Sequence, residues 1–194
     1  MPKVVDHEKR KNIIAQATWR VILKQGMKGA TVRNIAKEAG LSLGALRHYF
    51  RSQEDLLIYT MDLVKERATE RIMNIALSNM PPKEKTIHML LELVPTNETT
   101  KAEMEVWLEF TFYFRNKGNI EMANQDGIRE GVYRLVTFLE SQQLLKNGLD
   151  LEVEVERLHA LVDGLAIHAI LEPERLTKEK IIDILTRHLE EILE

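Results

Sequence analysis

Residues 31–50 read TVRNIAKEAGLSLGALRHYF, and this stretch decides the fold. Val32, Ile35, Ala36 and Ala39 recur at the spacing of a helix with one apolar face, and Leu46, Tyr49 and Phe50 resume that spacing after a break. Gly40 can take the left-handed conformation that ends a helix, and Leu41 can plug the angle between two helices. Thr31 and Ser42 stand where each helix needs a capping hydroxyl. Two short helices about a glycine-containing turn make a helix-turn-helix. With Val32, Ile35 and Ala36 turned inward and Leu46 and Phe50 beneath the second helix, Leu43, Gly44, Ala45, Arg47 and His48 form the outward-facing set.

Outward from this motif, helical spacing continues in both directions. Ile13, Ala17 and Val21 step by four, and Leu56, Tyr59 and Leu63 begin a long helix that runs past Met73. Gly26 and Gly29 close the first helix. Ser52 and Asp55 have the spacing of a capping box and open the fourth. Pro81-Pro82 ends that helix, and Pro82 suits the first turn of the next. Pro95 ends the fifth, and Thr100 with Glu103 is spaced to cap the sixth. Gly118 and Gly148 bracket a seventh that begins near Asn119, and Asp150 and Thr177 cap the eighth and ninth. No segment alternates with period two over strand length, and no repeat is found. The expected fold is all-α with about nine helices: a three-helix DNA-reading head over residues 1–52 and a larger helical domain over 53–194.

Charge is divided between these parts. The chain carries a net −3. Residues 1–55 hold eleven Lys/Arg against five Asp/Glu, a net +6, and the remainder holds sixteen against twenty-five, a net −9. A basic end on an acidic body points to nucleic acid at one end and another task at the other. There is no cysteine, which excludes disulfides and thiolate metal sites. No apolar run reaches the roughly 18 residues of a membrane span, and the initial MPKVVDHEKRK lacks a signal-peptide core. A cytoplasmic protein without a membrane partner, cofactor or metal is expected.

Over about residues 9–60, including the FRSQEDLL after the motif, the sequence resembles the TetR (tetracycline-repressor) family of transcriptional regulators. The resemblance implies that the second short helix lies in the DNA major groove. It places Leu43, Gly44, Ala45, Arg47 and His48 at base edges. It places Thr31, Arg33, Ser42, Tyr49 and the start of the fourth helix at phosphates, where the family usually has Lys at the position of Gln53. Phosphate contacts set register and base contacts specify sequence. Arg47 has the fork that fits two acceptors of a guanine. His48 has no second metal ligand at helical spacing, so it is read as a DNA contact or a solvent-exposed ring.

The larger domain has two further features. In VWLEFTFYF, residues 106–114, Trp107, Phe110 and Phe114 share a face, and six methionines lie between residues 61 and 122. Thioethers and aromatics suit an adaptable ligand cavity, and they equally suit an ordinary core. The expected ligand contacts are Met61, Met89, Trp107, Phe110, Phe114 and His168. Glu103, Glu105 and Glu109 lie near Trp107, either for a cationic ligand or as a solvated helix face. In the tail, Val155, Leu158, Val162, Leu165, Ala166 and Ala169 form one stripe, and Ile181, Leu185, His188 and Ile192 form another. Gly164 inside a helix costs roughly 1 kcal/mol relative to Ala, which close approach of another helix would explain. Two readings stand: half of a two-fold dimer interface, or a hairpin packed on its own chain. The tail and VWLEF resemble the BetI-like branch of the family, whose members answer to varied metabolites and whose namesake effector is choline.

The expected function is a homodimeric repressor that binds a palindromic double-stranded operator and is released by a small-molecule effector. The alternatives are a ligand-independent or activating regulator and, further off, a helical enzyme. His159 and Asp163 are four apart on a helix, with His168 nine beyond His159, but helix-interface hydrogen bonding accounts for them. The chain has no glycine-rich phosphate loop after a strand, no HExxH and no GxSxG.

Overall fold

A computed structural model describes residues 7–123 and 127–194. Six of the eleven residues of MPKVVDHEKRK, the stretch read as lacking a signal-peptide core, lie outside these bounds. Every regular element among the described residues is helical: α1 His7–Gly29, α2 Val32–Glu38, α3 Leu43–Tyr49, α4 Gln53–Ala76, α5 Pro82–Leu91, α6 Glu98–Asn116, α7 Ile120–Ala123, α8 Ile128–Ser141, α9 Leu151–Leu171 and α10 Lys178–Ile192. The all-α expectation holds, with ten helices among the described residues rather than nine. The extra one arises where a single seventh helix was expected. Asn119 Oδ1 accepts from the Met122 amide to start α7, and Gly127 at φ 77° precedes α8.

Local capping shows why the helices begin where they do. Thr31 Oγ1 accepts from the Asn34 amide, Ser42 Oγ from Ala45, Asp150 Oδ1 from Glu152 and Val153, and Thr177 Oγ1 from Lys180. Ser52 and Asp55 form a reciprocal capping box at 3.0 and 3.2 Å. The sixth helix differs from expectation. Asn97 Oδ1 accepts from the Thr99 and Thr100 amides, and Thr100 Oγ1 accepts from the Asn97 amide, so the box sits one turn earlier than Thr100–Glu103. The fifth helix stops at Leu91, four residues short of Pro95. The first is broken at Gly26, which takes φ 66° and ψ −178°, and the chain regains helical geometry up to Gly29.

The described residues within Met1–Arg67 and Glu105–Gln125 make one compact unit, and those within Ala68–Met104 and Asp126–Glu194 make another. The first holds the start of α4 and the second half of α6 together with α1 to α3. Its core joins Ile14, Val21 and Ile22 of α1, Ile35 of α2, Leu46 of α3, Leu56, Leu57 and Met61 of α4, and Val106, Phe110 and Phe114 of α6. The second unit is built on Leu90 of α5, Val132, Val136 and Leu139 of α8, Leu158 and Val162 of α9, and Ile181, Leu185 and Leu189 of α10. Its chain end is tied down by an antiparallel bridge between Leu145 and Leu193. Lys146 Nζ also donates to the carbonyls of Glu190 and Glu191 in the last turn of α10, where a cation suits the helix end.

Candidate nucleic-acid interface

The turn between α2 and α3 is set by backbone geometry. Gly40 takes φ 67°, the Leu41 amide donates to the Ala36 carbonyl, and the Gly40 amide donates to the Lys37 carbonyl. This pair of bonds is a Schellman stop, which requires the left-handed residue that glycine supplies. The turn lets Leu46, buried to 1% exposure, and Phe50 rest on Ile35 and Ala36 in one core. The opposite face of α3 then points to solvent: Leu43, Gly44, Arg47 and His48 are exposed and Ala45 is half-buried. Thr31, Arg33 and Ser42 are exposed on the same motif.

Tyr49 and Gln53 are held more closely than the others. The half-buried Tyr49 ring lies 4.7 Å from that of His7 and 5.3 Å from that of His48, and the His7 and His48 rings are 5.8 Å apart. Gln53 Nε2 donates to the Ala30 carbonyl at 2.9 Å, so this amide ties α4 to the segment before α2. A lysine there would have one charged donor group for either task, whereas here the side chain is committed to the backbone. His7 was not singled out in the sequence, because its link to the motif spans more than forty residues.

Ion pairs and hydrogen bonds brace the motif from behind. Arg20 Nε reaches Glu38 Oε1 at 2.7 Å, with Lys24 at 3.8 Å, and the Arg20 hydrogen bond is the main cause holding the Glu38 carboxyl below its ordinary range. Tyr59 Oη meets Asn12 Oδ1 at 2.6 Å and Glu8 Oε2 at 3.2 Å. Burial first, and then the Glu8 hydrogen bond, push the Tyr59 phenol up to about 12. Lys117 Nζ bonds Glu54 Oε1 at 2.7 Å, which offsets the acidic charge in the first turn of α4. The hydrogen bond to Glu54 chiefly raises the lysine's pKa.

The residues expected to meet a ligand fall in both units. Met61, Phe110 and Phe114 are buried in the first core, with half-buried Trp107 packed against it and the Phe110 and Phe114 rings 4.6 Å apart. Met89 packs on the second core, and exposed His168 lies 3.4 Å from Glu172. Two of the three carboxylates near Trp107 have other partners: Glu103 receives Arg71, and Glu109 Oε2 accepts from the Met27 amide. His159 Nε2 lies 3.4 Å from Asp163 Oδ2, and no cluster of three metal-ligating side chains occurs among the described residues.

The stripes expected at a dimer face are occupied within the chain. Val155, Leu158, Val162, Leu165, Ala169, Ile181, Leu185 and Ile192 all lie in the second core, and His188 is 8% exposed. Burial, and then the nearby Arg157 charge, hold the His188 imidazole below its ordinary pKa. These side chains fill the chain's own hairpin, the second of the two readings the stripes allow. Gly164 differs: a Cβ placed there would meet nothing within 4 Å. It lies on a line of α9 with Val153, Ala160, Ile167 and Leu171, all four of them exposed.

Comparison with known proteins agrees with this architecture. The model of "Bacterial regulatory proteins, tetR family" matches residues 14–60, and that of "BetI-type transcriptional repressor, C-terminal" matches residues 82–194. The HTH-type transcriptional regulator PksA of Bacillus subtilis is 55% identical over 192 residues, covering 99% of this chain and 94% of that protein. The HTH-type transcriptional regulator BetI of Escherichia coli K12 is 30% identical over 195 residues, covering 97% and 95%. Among solved structures, a transcriptional regulator from Saccharomonospora viridis in complex with choline superposes with a TM-score of 0.78 at 20% identity, covering 96% and 99%.

Proposed function

Because the chain belongs to the tetracycline-repressor family of DNA-binding transcriptional regulators, we propose that it represses by binding a palindromic operator as a homodimer and is released by a small-molecule effector. The observation that carries this reading is the outer face of α3. Leu43, Gly44, Arg47 and His48 stand exposed on a helix whose other side is anchored by Leu46. A short exposed helix braced in this way suits the major groove, and Arg33, Ser42 and Thr31 beside it suit phosphates.

Two copies are needed to read a palindrome. The line Val153, Ala160, Gly164, Ile167 and Leu171 supports α9 as their contact, because its centre is small and its ends are apolar and exposed. For the effector, half-buried Trp107 is the accessible candidate contact, with Met89 and His168 as further ones. Met61, Phe110 and Phe114 are packed, so they take part only if the core opens. The choline bound to the S. viridis relative supports a small-molecule ligand of some kind. Release occurs if the effector favours a DNA-incompetent state, since equal affinity for both states shifts nothing. The direct test is selection of DNA from a random pool by the purified protein. Recovery of an inverted repeat with half-sites about one helical turn apart, ~34–36 Å, is expected. Recovered DNA without symmetry removes the dimer-on-palindrome reading.

A further inference from the structure

The break in α1 exposes a backbone donor that a distant side chain takes up. At Gly26 the backbone leaves helical geometry, at φ 66° and ψ −178°. In an unbroken helix the Met27 amide would donate one turn back. Here it donates to Glu109 Oε2 at 2.8 Å, across 82 residues of sequence. A Cβ on Gly26 would lie 3.7 Å from each Glu109 carboxylate oxygen, so the carboxylate rests against the break itself. Glu109 thus performs for the turn at Met27 the service an N-cap side chain performs for its own helix.

Past the break, the chain leads directly into the DNA-reading motif. Met27 is 6% exposed and Ala30 is fully buried. The Ala30 amide donates to the Met27 carbonyl, Asn34 Nδ2 donates to the Gly29 carbonyl, and Gln53 Nε2 donates to the Ala30 carbonyl. The segment from Met27 to Ala30 is therefore pinned to α2 and α4, and its own first amide is pinned to α6. The same half of α6 sends Val106, Phe110 and Phe114 into the head's core, and Lys117, one residue past its end, bonds Glu54.

We propose that Glu109 is a positioning residue for DNA reading: it caps the α1 break from another helix and so sets how α1 meets the helix-turn-helix. This rests on the proposed operator binding. Glu109 itself touches no DNA and acts through the backbone of Met27.

The test uses the full-length protein with Glu109→Ala, Glu109→Gln and Glu109→Asp, each checked to be folded at the assay temperature by a cooperative thermal transition above it. Gln keeps an acceptor at the same reach, whereas Asp keeps the charge but is one methylene short. Operator affinity is measured across salt concentrations, and exchange of the Met27 amide is followed in the free protein. The expected result is a loss of about five- to ten-fold for Ala and for Asp, the size of a lost cap. Gln should stay within about two-fold of wild type. The salt slope should be unchanged, because no phosphate contact is lost, and Met27 exchange should accelerate only in Ala and Asp. Wild-type affinity in both Ala and Asp, or Gln as impaired as Ala, overturns the proposal. If Ala does not fold, the opposed outcomes for Gln and Asp still decide it. A wild type that retains no DNA at any salt defeats the operator reading instead, and the exchange measurement then decides the cap alone.

Discussion

Arg71 and Glu103 meet in a two-pronged ion pair, with guanidinium nitrogens 3.0 and 2.6 Å from the two carboxylate oxygens. The third edge of the guanidinium reaches Glu92 at 2.6 Å. One side chain of α4 thereby joins the end of α5 and the start of α6 within the second unit. Glu103 is 13% exposed and Arg71 31%, so the pair is only partly screened. Arg71→Ala leaves two carboxylates facing each other and should cost about 1–3 kcal/mol. Arg71→Lys keeps the charge but cannot serve both carboxylates with planar forks, so it should recover only part of that. Urea unfolding midpoints measure both, and an unaltered midpoint in Arg71→Ala would show that the network adds nothing to stability.

On the reading helix, Arg47→Ala should relax sequence preference by about 1–3 kcal/mol of discrimination at one base pair. Tyr49→Phe should weaken binding at all sites alike. The half-buried ring is kept and only the phenolic donor is removed. Affinity for the selected site and for single-base variants separates the two. An Arg47→Ala protein with the full specificity ratio assigns base reading to another residue.

The caps at Thr31, Ser42, Ser52, Asp150 and Thr177 were legible in the sequence because each acts on an amide within three residues. The Schellman stop at Gly40 was legible for the same reason. At α6 two boxes of identical spacing lie one turn apart. The choice of Asn97 goes with a long-range fact: Glu103 is engaged by Arg71. Periodicity also found the apolar stripes of α9 and α10, but a stripe does not say which molecule covers it. Leu158 and Leu185 turn out to face their own chain. The Met27–Glu109 bond, spanning 82 residues, leaves no local trace.

That distinction gives a dimer prediction with an internal control. Gly164→Leu and Ile167→Glu alter the open face of α9 and should shift the sedimenting species toward monomer, weakening operator binding with it. Leu158 is fully buried, so Leu158→Ala should cost about 2–5 kcal/mol of stability and leave association intact. A stable dimer in both open-face variants would move the contact elsewhere.

His188 gives a pH dependence. Its imidazole is buried, near Arg157 and Glu154 of α9 and Glu191, and its folded pKa lies below the ordinary 6.5. The unfolded chain therefore binds the proton more readily. The stability contributed by neutral His188 is complete above 6.5 and is lost as pH falls from there through the folded pKa. His188→Gln should flatten the midpoint-versus-pH curve over that window relative to wild type. Parallel curves would show that another group carries the dependence.

The effector should be visible through Trp107. This ring is half-buried against the first core, and the other tryptophan, Trp19, packs on the same core. A Trp19→Phe background therefore isolates the signal. α4 and α6 each contribute residues to both units, which supports a route by which a ligand-driven shift alters the DNA-reading head. A coupling of ~1–3 kcal/mol is ordinary, so a saturating effector should weaken operator binding by about 5–150-fold. Quaternary amines, fatty acids and aromatic drugs form a first panel: the Trp107 face suits a cation, and the apolar residues it packs against suit the other two classes. Trp107 emission and operator release are followed in one titration. A compound that moves both with the same midpoint identifies effector chemistry. A compound that shifts emission while operator affinity stays constant breaks the proposed coupling. Glu109→Gln in the same titration should leave both midpoints in place, because the Met27 cap is kept.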